Sequence, residues 1–384
     1  MKFIDFFAGV GGFRRGMELA GHECVGFCEF DKFATASYTS MHLLTQEQRE
    51  FLDKMPLKQR QKEILKEEYR NGEWYANDIR RVYAGDIPKA DCWCFGFPCQ
   101  DISVAGKQLG FQGNRSSLFF RVMYLIGQLE EENRPTYLFI ENVKNLLSVN
   151  GGWDFARLLI EMEQGGYDAE WQVLNSKDFG VPQNRERCFI IGHLRGRGSA
   201  EVFPVERADR EDSIQIIGHR DGYRRNTQVF AQDGITEALS TCQGGGREHH
   251  VALPCFIDLC REGSKIIDSV NFSMPNSKTR RGRVEQEIAN TLDTSCNQGI
   301  FVQVSEELVV YAVWYEKYQC YIAIRKLTPK ECFRLQGWTD DYFEKAEFVN
   351  SDSQLYKQAG NGVTVTVIEA MARKLGQYRK EEQR

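Results

Sequence analysis

The stretch KFIDFFAGVGGFRRGMELAG, Lys2 to Gly21, decides the fold. KFIDFFA reads as a strand, because apolar residues dominate it and aromatic side chains favour extended backbone. Glycines at 9, 11 and 12 break it, and FRRGMELAG then reads as a helix. A strand passing through a glycine turn into a helix is the opening unit of an α/β sheet. The same alternation continues outward. ECVGFCEF is a second strand and ADCWCFGFP a third. SSLFFRVMYLIGQLEEEN is a helix with a serine cap, apolar residues at helical spacing and a stop at Arg134-Pro135. TYLFIENV and ERCFIIGHL are further strands. The expected fold is α/β, a doubly wound, mostly parallel sheet with helices on both faces.

The totals fit a globular protein with a large core: 384 residues, 42% hydrophobic and 27% charged. The 12 cysteines are scattered, several within apolar runs, which fits a reducing cytosol rather than a disulfide framework. No apolar run is long enough to span a bilayer, so no membrane partner is expected. MKFIDFFAGVGG makes a poor signal peptide, since Asp5 interrupts its apolar run. The net charge of −5 speaks against a protein that coats nucleic acid, but leaves room for a local basic groove.

Three regions are expected: a large domain at 1–192, a smaller loop-rich domain at 193–340, and a segment at 341–384 that returns to the large domain. Within the first, LTQEQREFLDKMPLKQRQKEILKEEYRNG (44–72) reads as a charged helical insertion, with Thr45 and Gln48 spaced as a capping box. A solvated insertion is the simpler reading of it, and an arm on DNA the alternative. The tail GVTVTVIEAMARKLGQ has strand or helix character. ITEALST (235–241) and IANTLDT (288–294) echo each other, each followed by a Cys/Gln/Gly loop.

Four polar signals share one placement. AGVGG follows the first strand, Glu29 ends the second, Pro98-Cys99 ends CWCFGF, and Glu141-Asn142 ends TYLFI. Ligands of open parallel sheets bind at the carboxyl ends of strands. As neighbours, these strands would bring all four signals to one rim. Gly9, Gly11 and Gly12 at a helix N-terminus can receive an anion. Arg14 stands where a dinucleotide fingerprint has its third glycine, so the turn suggests a nucleoside cofactor other than NAD. Glu29 lies where such folds hold ribose hydroxyls.

Cys92 and Cys94 alternate with apolar residues and read as core. Cys99 differs, because Pro98 fixes the backbone before it and polar residues follow. A zinc deaminase needs P-C-x-x-C with an upstream H-x-E, and position 102 is Ile. Cys242, His249, His250 and Cys255 fit no zinc spacing, so no metal is expected. A nucleophile remains the foremost reading of Cys99. Glu141 reads as a pocket acid rather than a surface one. Arg185 and Arg187 alternate into ERCFIIGHL and would face one side.

In order, DFFAGVGGF, CEFDKFA, GDI, GFPCQDIS, ENVKN, QNRERCFIIG, RKLTPKECFRLQGW and QAGNGVTV resemble the motifs of the DNA (cytosine-5)-methyltransferases over nearly the whole chain. The resemblance implies an S-adenosylmethionine-dependent, Rossmann-like sheet with a loop-rich target recognition domain. It implies that Phe7, Gly9, Gly11 and Gly12 line the cofactor site, and that Glu29 holds the ribose. Phe30, Asp86 and Ile87 would meet the adenine, and Pro98 would lie near cofactor and base. Asn361 and Val363 would close the pocket. Cys99 would be the nucleophile, Glu141 the group on cytosine N3, and Arg187 the group on the base carbonyl with Arg185 nearby. Gln100, Ser103 and Gln183 are expected on the DNA side. Phe30 stands where many relatives carry Trp, and Gly362 where Ser is common.

The implied activity is methyl transfer to C5 of a flipped-out cytosine in double-stranded DNA. Arg247 is a candidate guanine reader in the loop Gly244–Arg247, paired with a second loop at Gln298–Gly299. Lys278, Arg280, Arg281 and Arg283 can neutralise phosphates. The expected setting is a bacterial cytoplasm, as a monomer, with a cognate restriction endonuclease as a genetic partner. An RNA cytosine methyltransferase, a silent DNA-binding relative and a nicotinamide oxidoreductase are the alternatives.

Overall fold

The computed structural model describes residues 1–97, 117–197, 202–205 and 327–382, together with the backbone of strands between 206 and 326. The chain divides into two compact units. One comprises Met1–Asp212, Glu237–Gln243 and Pro329–Arg384, the other Ser213–Thr236 and Gly244–Thr328.

In the first unit the elements run β1 (Lys2–Phe6), α1 (Gly12–Leu19), β2 (Glu23–Cys28), α2 (Lys32–His42), α3 (Gln46–Asp53), α4 (Leu57–Glu63), β3 (Trp74–Ala76) and β4 (Cys92–Phe95). They continue as α5 (Ser117–Gln128), β5 (Tyr137–Val143), α6 (Trp153–Gln164), β6 (Tyr167–Asn175), β7 (Gln183–Asn184) and β8 (Glu186–Leu194). The seven-stranded sheet has the order β3-β2-β1-β4-β5-β8-β6. β3, β2, β1, β4 and β5 pair in parallel. β8 runs antiparallel to both β5 and β6. The chain steps outward in both directions from β1, so the strand order reverses between β1 and β4, the place where such sheets form a crevice.

The period of two along each strand sorts side chains to opposite faces. Ile4, Trp93, Phe95, Leu138 and Ile140 face one way and pack with Val122, Ile126 and Leu158. Phe3, Cys92, Cys94, Tyr137 and Phe139 face the other and pack with Phe13, Met17, Ile368 and Met371. Both faces are therefore covered, which is why these strands are apolar throughout rather than alternating.

The C-terminal part is helical: α7 (Pro329–Leu335), α8 (Asp340–Glu347), α9 (Asp352–Asn361) and α10 (Val365–Glu382). The tail that the sequence leaves open between strand and helix is α10. It lies close against α1, and a Cβ on Gly16 would fall 2.6 Å from Ile368. The insertion forms α3 and α4, with the Thr45–Gln48 capping box in place. Its Leu52, Ile64 and Tyr69 pack with Ala36 of α2 and with Val349.

The break between units falls near 213 rather than 193. β8 runs to Leu194, and the segment after it is tied back to β6. Glu170 accepts from the N–H groups of Val202 and Phe203 at 2.7 and 3.0 Å, and Gln172 accepts from Val205 N–H at 2.9 Å. On the return, α7 belongs to the first unit, so that break comes at 328 rather than 340. The second unit holds β9 (Ile216–His219), β10 (Gln228–Phe230), β11 (Thr236–Glu237, whose second residue falls in the first unit), β12 (His250–Cys255), β13 (Asp268–Asn271), β14 (Val284–Gln286), β15 (Gln298–Phe301), β16 (Tyr311–Tyr315) and β17 (Cys320–Lys326). Apart from β11, they form a five-stranded sheet, β16-β17-β12-β10-β9, and a three-stranded one, β14-β13-β15. Gln298 and Gly299, expected in a loop, instead open β15 and pair with Asn271 and Val270. Of the two echoing segments, the second lies outside the described residues.

Candidate active site

The first strand ends in strained backbone. Phe7 has φ 54° and Gly9 φ 57°. A positive φ is rare for a bulky residue and tends to mark a functional position. The N–H of Gly11 closes a tight turn onto Ala8 O at 2.8 Å. Gly11 itself, φ 85°, is the N-cap of α1. No side chain fits at Gly12, where a Cβ would meet Val363 Cγ2 at 2.6 Å. Asp5, fully buried on β1, accepts from the N–H of Arg14 at 3.3 Å and so caps the first turn of α1 from below.

Glu29 follows β2 and reaches back to this turn. Its Oε2 accepts from Gly9 N–H at 2.7 Å and its Oε1 from Asp31 N–H at 2.6 Å. Burial raises its carboxyl above the usual range, although those N–H groups oppose the shift. The Phe30 backbone also reaches this carboxylate, which still has lone-pair capacity for a hydroxyl donor. Asp31 caps α2 and pairs with Lys357 of α9 at 2.5 Å.

Glu141 lies on β5 and is 9% exposed. Its Oε1 is 3.1 Å from Arg187 Nε. Burial raises its carboxyl above the usual range, while the charges of Arg187 and Arg185 pull it back. Arg185 does a different job. Its Nη2 donates to Gly360 O at 3.2 Å and Gly362 O at 2.7 Å, fastening the end of α9. Asn142 donates to Phe97 O at 3.2 Å and so fixes the chain just before Pro98.

One cavity of about 520 Å³ joins these groups. Phe7, Gly9, Glu29 and Phe30 line it, as do Gly96, Glu141, Arg185 and Arg187, and Lys357 and Asn361 from α9. Gly11, Gly12 and Val363 stand behind its wall rather than in it. Asp86 and Ile87 do not line it. Asp86 ends a 3-10 turn, Ala84–Asp86, and Ile87 is buried in the core beneath α5. Asn77, Asp78 and Ile79, directly after β3, line the cavity instead. Gln183 is fully buried and donates to Leu335 O at 2.8 Å. Pro98, Cys99, Gln100 and Ser103 lie outside the described residues, and so do Arg247, Lys278, Arg280, Arg281 and Arg283. Sequence reasoning missed Asp78 and Lys357. Asn77-Asp78-Ile79 carries the same Asp-Ile pair as Gly85-Asp86-Ile87, and only the unrecognised strand before it distinguishes the two.

Comparison with known proteins gives the same picture. A type II methyltransferase of Haemophilus parahaemolyticus, M.HhaI, is 29% identical over 98% of this chain and 94% of its own length. M2.ScrFI of Lactococcus lactis subsp. cremoris is 29% identical over 98% and 99%. The orphan methyltransferase M.SPBetaI of Bacillus phage SPbeta is 27% identical over 98% and 97%. Among solved structures, the S. pombe Dnmt2 methyltransferase shares the fold, with a TM-score of 0.58 at 14% identity, covering 100% of this chain and 99% of that one. Residues 1–377 match the C-5 cytosine-specific DNA methylase family, and the chain belongs to that family.

Proposed function

We propose that the protein transfers a methyl group from S-adenosylmethionine to C5 of a cytosine extruded from double-stranded DNA, with Cys99 as the covalent nucleophile. The observation that carries this reading is one cavity with two differently built ends. The glycine turn and Glu29 suit a nucleoside whose ribose offers two donors. Glu141 and Arg187 suit the polar edge of a pyrimidine. The cofactor, held by the first end, supplies an electrophilic methyl.

The rest of the chemistry falls to the chain. Cytosine C5 is a poor nucleophile until a thiolate adds to C6. Cys99 would make that bond and push electron density onto C5 and N3. Glu141, held toward its protonated form by burial, can donate to N3 as charge grows there. Arg187 offers its remaining N–H groups to O2 and keeps Glu141 oriented. After C5 has taken the methyl, loss of the C5 proton expels Cys99 and restores the aromatic ring. Extruding the base costs a few kcal/mol, which binding in the cavity must offset.

The test is chemical. Duplex DNA with 5-fluorocytosine at the methylated position cannot lose fluorine as a cation, so the adduct is trapped. Peptide mapping should place DNA on Cys99 and leave Cys92 and Cys94 unmodified, since both are fully buried on β4. Cys99→Ser should abolish transfer while calorimetry shows the cofactor binding as in wild type. An adduct elsewhere, or methylation of tRNA in preference to duplex DNA, would overturn the proposal.

A further inference from the structure

His42 ends α2 and lies against the far side of the glycine turn. Its Nε2 is 3.0 Å from Val10 O. A carbonyl can only accept, so Nε2 carries the proton and the tautomer is fixed. Val10 C=O and Gly11 N–H belong to one peptide plane. Gly11 N–H is held by Ala8 O at 2.8 Å. The plane is therefore clamped at both ends, from His42 on one side and from Ala8 on the other. The next N–H groups along the chain are those of the first turn of α1. Their direction follows from the orientation of this plane.

The surroundings fit a permanent brace. A Cβ on Gly11 would collide with Nε2, so the turn and the imidazole are mutually fitted. The ring packs against Tyr38, Trp338 and Tyr342, at centroid distances of 4.8, 6.0 and 5.5 Å. Nδ1 is buried and accepts no hydrogen bond among the described residues. Burial, then the nearby charge of Arg14, with Arg15 and Lys345 adding to it, holds the imidazole well below its usual value. Burial thus favours the neutral imidazole, whose Nε2–H donates to Val10 O. It does not reach the cavity.

We infer that His42 is a positioning residue for cofactor binding: through Val10 O it sets the glycine turn that receives the carboxylate of the methionine moiety. This rests on the reading of the cavity as an S-adenosylmethionine site. The experiment separates the two. Calorimetry with S-adenosylmethionine is run on the full-length wild type, His42→Phe and His42→Gln. Phenylalanine keeps the ring packing and removes the donor. Glutamine carries an N–H donor the same number of bonds from Cα. The bond is present with or without ligand, so its loss weakens binding only through the orientation of the turn, by up to about tenfold. His42→Phe should raise Kd and KM for the cofactor by about that factor, with kcat at saturation near wild type. His42→Gln should recover most of the loss. If His42→Phe does not fold, His42→Leu, smaller and also without a donor, takes its place. Failure of the wild type to bind S-adenosylmethionine would remove the underlying reading. Wild-type binding with an unchanged Kd in the donorless variant would overturn the role of His42 alone. So would a His42→Gln protein that melts normally yet binds as poorly as the phenylalanine variant.

Discussion

Gly96 offers a way to move Glu141 without changing it. It follows β4 and lacks a positive φ, so alanine there meets no backbone strain. A Cβ on Gly96 would sit 3.0 Å from Glu141 Oε2, whereas ordinary van der Waals contact begins near 3.4 Å. The carboxylate must yield by a few tenths of an ångström. Glu141 cannot retreat freely, because its other oxygen is tied to Arg187 at 3.1 Å. A misplacement of 1 Å costs about a hundredfold in rate when the geometry is catalytic. A shift of roughly 0.4 Å then costs on the order of tenfold. Gly96→Ala should lower the single-turnover rate of methyl transfer by about that factor, with the Kd for S-adenosylmethionine within about twofold of wild type. Quenched-flow measurement with a labelled methyl donor reads the first quantity and calorimetry the second. An unchanged transfer rate would refute the placement of Glu141 at the reacting base. Loss of cofactor affinity as large as the loss of rate would refute the division of the cavity into two ends.

Other expectations follow from buried groups. Asp5 is fully buried and its carboxyl is pushed well above the usual range, chiefly by desolvation. The folded chain therefore keeps a proton that the unfolded chain releases. The stability this site contributes is fully present below the unfolded carboxyl value and is lost as pH rises through the folded one, at about 1.4 kcal/mol per pH unit between them. Asp5→Asn should remove that slope, so urea titrations should show the variant gaining on wild type as pH rises from 4. Gly12→Ala must displace Val363, both its side chain and its carbonyl, which lie 2.6 and 2.9 Å from the new Cβ. It should lower Tm and weaken cofactor binding together, as calorimetry and thermal melts can check. Thr45→Ala removes the capping box of α3 and should cost about 1 kcal/mol in urea unfolding, with transfer activity unchanged.

The rim of the sheet was legible because each chemical residue closes an apolar run. Glu29 and Glu141 stand where a buried strand stops, and burial makes the end of a strand visible in sequence. The stretch after β3 was not legible for the opposite reason. β3 is three half-buried residues at a sheet edge, directly after a charged insertion, and carries no periodic pattern. The later Asp86 was therefore preferred to Asp78. Strand direction was also hidden. β8 carries an apolar run like those of the parallel strands in the sheet, and nothing in its side chains records that it runs backwards. Arg185 and Arg187 share a pattern of alternation, yet their partners differ. Two carbonyls at the end of α9, about 175 residues on, claim the first. That contact belongs to tertiary structure alone.

Arg14, the residue that breaks the dinucleotide fingerprint, ties the insertion to the cofactor turn. It is 7% exposed. Its backbone N–H is capped by Asp5, and its guanidinium turns away to meet Glu18 at 2.8 Å and both oxygens of Glu73 at 2.7 and 2.9 Å. Glu73 closes the insertion just before β3. A buried cation must be paired, and here Glu18 of α1 and Glu73 share that task. The arginines of the insertion itself, Arg49, Arg60 and Arg70, face inward as well. Arg60 stacks on Phe348 at 3.8 Å and donates to Phe348 O at 2.7 Å. Arg49 donates to Ser40 O at 2.6 Å. Arg70 is 3% exposed, with its guanidinium 4.4 Å from the Tyr75 ring. These guanidinia are engaged with α2, β3 and the C-terminal helices. The insertion is therefore part of the frame behind the glycine turn. Its charged composition disguises that role, because lysines and glutamates on its outer faces outnumber the few buried residues that hold it in place.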